Sequence, residues 1–124
     1  MSVGLNEKAI IGLIEPVMLH GKKRNAIFKA KVDTGATKSS IDESLVSILG
    51  LGPVKGETIV RNANGSEKRP FIDITVELAE HTVTEHFTIA DRQHMRYPIL
   101  IGRNILRKGG FLIDPNRKTR MFRK

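Results

Sequence analysis

The chain has no cysteine and no tryptophan, and only 5% of its residues are aromatic. Without a thiol it has no disulfide to staple a small core and no thiol chemistry to offer. Scarce aromatics mean that the core has to be built from Ile, Val and Leu, and that stacking platforms for bases are missing. No apolar run approaches the length of a membrane span, and residues 1–8 lack the charged-then-apolar layout of a secretion signal. No membrane partner is expected, and the chain reads as cytoplasmic. Acidic residues are outnumbered: 13 Asp and Glu stand against 21 Lys and Arg, giving a formal charge of +8 and a pI near 10.1. That balance favours acidic partners. The basic residues are dispersed over Lys22–Arg24, Lys68–Arg69, Arg103–Lys108 and Arg117–Lys124. Nucleic acid is therefore the weaker reading, and a solubilising surface the plainer one.

What is present is a β-forming pattern. Ala9 to Leu19 is an apolar, β-rich run, His20–Asn25 a polar turn, and Ala26–Val32 an alternation of apolar and polar residues, the period of a half-buried strand. Asp42 or Ser40 caps a short helix over Glu43–Leu49, with Gly50 as its stop and Leu45, Val46, Ile48 and Leu49 on one buried face. Glu57 to Leu78 reads as a hairpin turning at Ala63–Ser66, because Asn64-Gly65 is a strong short hairpin signal. Further strands are expected at Thr82–Ile89, Ile99–Gly102, Phe111–Asp114 and Thr119–Phe122, with a helical turn or two at Arg103–Lys108. At 124 residues this is one domain, 1–124, all-β apart from one or two short helices.

Two stretches carry the chemistry. Ala30-Lys31-Val32-Asp33-Thr34-Gly35-Ala36-Thr37 is a strand running into a tight turn with a carboxylate at its tip. Tyr97-Pro98-Ile99-Leu100-Ile101-Gly102-Arg103 is a short apolar strand ending in a glycine that permits close backbone approach. From about Ile27 to Asp114 the chain resembles the retropepsin-like aspartic proteases. It is most similar to a cellular, prokaryotic group often labelled ATP-dependent zinc protease, which shares a Lys-Val-Asp-Thr-Gly-Ala start and a Tyr-Pro-Ile-Leu-Ile-Gly-Arg end.

The resemblance implies a closed acid-protease barrel that holds half a site per chain. Two carboxylates within a hydrogen bond of each other cannot both ionise, so one acts as acid while the other acts as base on a water. One Asp-Thr-Gly per chain then requires a homodimer, with Asp33 of each subunit meeting at the two-fold axis. By the same resemblance Thr34 braces the partner's loop and Gly35 supplies close approach and an amide for the carboxylate. Ala36 keeps the groove wall small. Asn62, Ala63, Asn64 and Gly65 form a flap over a peptide substrate, while Ile101, Gly102 and Arg103 support the loop. With the basic chain, acidic peptides are the favoured substrates.

In the retroviral members an aspartate four residues past the catalytic one pairs with the arginine after the second glycine. Here that position is Thr37, so Arg103 has to find another carboxylate, Asp114 or Asp42, or face substrate. No metal and no cofactor are expected. There is no His-Glu-x-x-His and no phosphate loop, and His20, His81, His86 and His94 have no ligand spacing. Two other readings compete: a catalytically silent dimer that binds peptides, and a basic β-barrel that binds nucleic acid.

Overall fold

The alternating and β-branched stretches form nine strands in the computed structural model, which describes residues 8–121. In chain order these are β1 (Ile10–Ile11), β2 (Ile14–His20), β3 (Asn25–Val32), β4 (Ser39–Asp42), β5 (Gly56–Asn62), β6 (Gly65–Leu78), β7 (His81–Ala90), β8 (Ile99–Ile101) and β9 (Leu112–Ile113). Helix α1 (Glu43–Leu49) follows β4, and helix α2 (Arg103–Gly109) follows β8.

Six strands close on themselves in the order β2-β3-β8-β4-β7-β6, with β6 returning to pair β2 through Val17↔Leu78 to His20↔Thr75. Closure removes the free edges of those strands. The barrel is filled by Val17, Leu19, Val32, Ile41, Ile72, Ile74, Val76, Leu78, Ile99 and Ile101, with Phe87 the one fully buried aromatic among the described residues. The core is aliphatic, as the shortage of aromatics demands. Each fully buried side chain of this kind contributes about 1.5–3 kcal/mol of transfer free energy.

The long first strand is broken. Residue 12 approaches the backbone of the C-terminal segment so closely that a Cβ there would lie 2.8 Å from the Arg117 carbonyl oxygen. Its N–H leaves the ladder and donates to Glu15 Oε2 at 2.7 Å. β1 therefore pairs in parallel with β9, away from the barrel. The strand expected at Thr119–Phe122 does not form over residues 119–121, and Phe122 lies outside the described residues.

Helix α1 starts and stops where its caps stand. Asp42 Oδ2 accepts from the Ser44 N–H at 3.2 Å, and Gly50 takes a left-handed φ of 71°. Leu45 and Leu49 are buried and Val46 half-buried, but Ile48 is exposed, so the apolar face is narrower than the composition of the helix suggests.

Asp42 also ties the helix to the barrel, because its Oδ1 accepts the buried Arg92 N–H at 2.6 Å. The Ser44 hydroxyl on its other oxygen holds the Asp42 carboxyl below the usual carboxylate range, assisted by the Arg92 and Ser44 amides and opposed by burial. The stability this gives is present above the ordinary carboxylate pKa and is lost as pH falls through it and on through the lowered folded value. Asp42→Ala is expected to cost about 2–4 kcal/mol in urea denaturation, from the lost cap and the stranded amide. Asp42→Asn, which keeps an acceptor, should cost less and should lose less of its stability than native protein below about pH 4. Parallel acid limbs for the two would sink this account.

Candidate active site

β3 delivers Asp33 to the barrel mouth, and β8 holds it there. The two strands run parallel with Ala30↔Ile99 to Val32↔Ile101 in register. The Asp33 N–H donates to the Ile101 carbonyl at 2.9 Å, and the Val32 N–H to Leu13 at 2.8 Å. The Gly35 N–H turns back to Asp33 Oδ1 at 2.9 Å, while the Ala36 N–H donates to the Asp33 carbonyl at 3.3 Å. Asp33 is half-buried, and Thr34 and Gly35 are exposed.

Gly102 is where the two motifs cross. A Cβ on it would lie 2.4 Å from the Lys38 carbonyl oxygen and 3.0 Å from that of Ala36. Any side chain would push the loop off the strand. Its N–H donates to Ser39 Oγ at 2.9 Å, and the Arg103 N–H reaches the Ala36 carbonyl at 2.8 Å. The Arg103 side chain does not seek Asp114 or Asp42. It donates from Nη1 to the Thr34 carbonyl at 2.8 Å and from Nη2 to Thr37 Oγ1 at 3.0 Å. A hydroxyl and a carbonyl replace the expected carboxylate, and Arg103 pins the loop at Thr34 in its turn and at Thr37 after it.

The hairpin β5–β6 stands over this loop. A groove of about 290 Å³ separates them, lined by Gly35, Ala36, Thr37 and Lys38 on one side and Ile59, Val60 and Arg61 on the other. Lys38 Nζ bridges the gap to the Ile59 carbonyl at 3.2 Å. Asn62, Ala63, Asn64 and Gly65 form the exposed tip, where Asn62 pairs Gly65 and the Asn64 N–H donates to Asn62 Oδ1 at 2.9 Å. Within one chain, then, the arm of the hairpin lines the groove and the tip does not.

Sequence reasoning did not single out the groove floor. The floor is made by Ser40, Thr88, Arg92 and Leu100, with Arg69 at its edge. Parallel pairing of β4 with β7 sets Ser40 beside Thr88, and Ser40 also pairs Leu100 of β8. Burial lowers the Arg92 pKa from its ordinary value, and the Arg69 cation adds to this, against the opposing carboxylates of Asp42 and Asp33. The histidines stay apart from the groove. His81 packs edge-on against Phe111 with its Nδ1 on the Ala79 carbonyl, and His86 stands beside Asp73 and Phe71. Among the described residues no three His, Asp or Glu side chains converge as a metal site would need. Nor is any helix there long and apolar enough to cross a membrane.

A closed six-stranded barrel with an Asp-Thr-Gly loop laced to a Gly-ended strand is a retropepsin-like architecture. The structure aligns with EIAV protease in complex with the inhibitor HBY-793 at a TM-score of 0.65 and 17% identity, over 90% of this chain and 96% of that one. It aligns with a Legionella pneumophila protein of unknown function at a TM-score of 0.65 and 21% identity, again over 90% and 96%. Residues 51–124, more than half of the chain, match the RimB-like family, described as retropepsin-like aspartic endopeptidase RimB, and the chain belongs to that family. No curated protein matches it in sequence. The matched stretch holds the hairpin and the Gly102 strand, whereas Asp33 lies before it.

Proposed function

We propose that this chain, one domain, is half of an aspartic endopeptidase that cuts peptides as a homodimer. The observation that carries the reading is the geometry around Asp33. The half-buried Asp33 stands at a strand end, its carboxylate held by the Gly35 amide, its backbone N–H by the Ile101 carbonyl and its loop by Arg103, beside a groove roofed by a hairpin. Two such loops facing each other across a two-fold axis bring the Asp33 carboxylates together with one shared proton. One carboxylate takes a proton from the attacking water, and the other gives its proton to the carbonyl oxygen of the scissile bond. The resulting tetrahedral intermediate collapses with proton transfer to the leaving amine. The route needs no metal or other cofactor. Thr34 braces the partner's loop, Gly35 lets the backbones approach, and Ala36 leaves room for the substrate chain. Asn62–Gly65 close the hairpin tip over substrate and exclude water. Lys38, Arg61, Arg69 and Arg92 give the groove a positive field that favours acidic peptides. A cytoplasmic setting, with no membrane or nucleic-acid partner, suits such an enzyme.

The test is cleavage of a mixed peptide library, read by mass spectrometry from about pH 4 to 7.5, with native protein and Asp33→Asn. Native protein should cut and the variant should not. Equal cutting by both removes Asp33 from the mechanism. A native dimer that binds peptides but cuts none is the silent binding module instead.

A further inference from the structure

A buried guanidinium that makes no ion pair, with only the carboxylates of Asp42 and Asp33 in its neighbourhood, needs an explanation, since burying a charge without direct pairing is costly. Arg92 is 9% exposed, and its Nε donates to the Tyr97 carbonyl at 3.1 Å. Among the described residues it forms no salt bridge, because the nearby Asp42 carboxylate accepts its backbone N–H and is otherwise taken up by Ser44. In the same groove Ser40 is 5% exposed, and its hydroxyl has no hydrogen-bond partner among the described residues. Buried polar atoms without partners are rare. Both side chains line the one groove that also touches Gly35 and Ala36 of the Asp33 loop. The neighbouring cations are already engaged, Arg69 with Glu67 at 2.6 Å and Lys38 with the Ile59 carbonyl at 3.2 Å.

The geometry points to Arg92 and Ser40 as an oxyanion pocket in the groove floor, which takes a side-chain carboxylate of the bound peptide beside the scissile bond. The guanidinium supplies the charge-assisted, two-pronged hydrogen bonding that a carboxylate accepts, and the Ser40 hydroxyl donates a further bond. An incoming oxyanion thus satisfies the orphaned hydroxyl and the unpaired cation together. A free tetrahedral anion offers the same chemistry, so inorganic phosphate is the second possible occupant. The pocket rests on the peptidase reading of the groove and deepens it, and binding can be read without cleavage.

The experiment uses peptide pairs that differ by one Glu→Gln replacement, scanned along the chain. Affinity for full-length native protein is measured by fluorescence anisotropy, and kcat/KM is measured alongside it. At one position the Glu peptide should bind, and be cut, at least about tenfold better than its Gln partner. Arg92→Gln should collapse that ratio toward one. Ser40→Ala removes only a buried hydroxyl and is expected to fold as native, and it should shrink the ratio severalfold. A Glu-to-Gln ratio near one in native protein, or a ratio that survives in Ser40→Ala and Arg92→Gln alike, overturns the pocket. Inorganic phosphate titrated into the assay separates the occupants. Competition with the Glu peptide and not with its Gln partner supports the shared site. Phosphate binding that persists in Arg92→Gln while the peptide preference is absent overturns it. If no peptide is cut, the anisotropy ratio still decides the pocket, so its failure is distinct from that of the catalytic assignment.

Discussion

A ninefold excess of Asp33→Asn chains added to native protein should lower peptide cleavage per native chain about tenfold, although every native chain is still present. Asn has the shape of Asp, so the variant should keep its loop, with the Gly35 amide still able to reach the side-chain oxygen it meets at 2.9 Å in the native protein. It should therefore pair with native chains as readily as they pair with one another. Under random exchange only about one native chain in ten then finds a native partner. A mixed dimer sets one carboxylate against one amide. The amide can neither share the proton nor act as base, and loss of general acid–base function alone is worth about 10²- to 10⁴-fold. Subunit exchange is checked independently by native mass spectrometry with isotope-labelled chains. If exchange is complete and the rate per native chain is unchanged, each chain holds a whole site and the shared-dyad reading is wrong.

The Asp33 loop was legible because its signals are local. An alternating strand, an Asp-Thr-Gly turn and a Gly-ended apolar strand state their geometry within a few residues, and the structure lays β3 and β8 side by side. The caps of α1 at Asp42 and Gly50 and the Asn64-Gly65 turn were readable for the same reason. Arg103 was harder. It bonds a backbone carbonyl and a hydroxyl, and neither leaves the charge signature by which a partner for arginine is sought.

The groove floor was not legible at all. Arg92 reads as one more charge in the run Asp91-Arg92-Gln93-His94, and nothing nearby says that it is buried. Its burial follows from the parallel pairing of β4 with β7, which brings Asp42 opposite Ala90 and so sets the Asp42 carboxylate against the Arg92 amide. Gly12 is a similar case. It sits in an apolar run that reads as one strand, and the reason for the break is the backbone of Arg117 near the far end of the chain. Contacts of that range are set by topology, which residue periodicity does not encode.

That same crossing sets up a large expected loss of stability. Glu15 is fully buried on β2, with Oε2 accepting the Gly12 N–H at 2.7 Å and Oε1 in ion-pair contact with Arg120 Nε at 2.9 Å. Arg120 also donates to the Ile10 carbonyl, so the C-terminal segment clamps β1 and the turn after it. Arg120→Ala leaves a carboxylate uncompensated in the interior, which costs about 3–5 kcal/mol. The lower end applies here, because the arginine side chain is itself 27% exposed. For a chain of this size the expected fall in Tm is roughly 10 °C or more. The double variant Glu15→Gln/Arg120→Ala should be more stable than Arg120→Ala alone, since the stranded charge is gone and the amide oxygen can still accept from Gly12. A cost below about 1 kcal/mol for Arg120→Ala would place the pair with ordinary surface ion pairs and sink the clamp. Loosening it should also reach the site, because the Leu13 carbonyl beside the clamped turn receives the Val32 N–H at 2.8 Å, one residue before Asp33. Amide exchange at Val32 should therefore quicken in Arg120→Ala and return toward the native rate in the double variant.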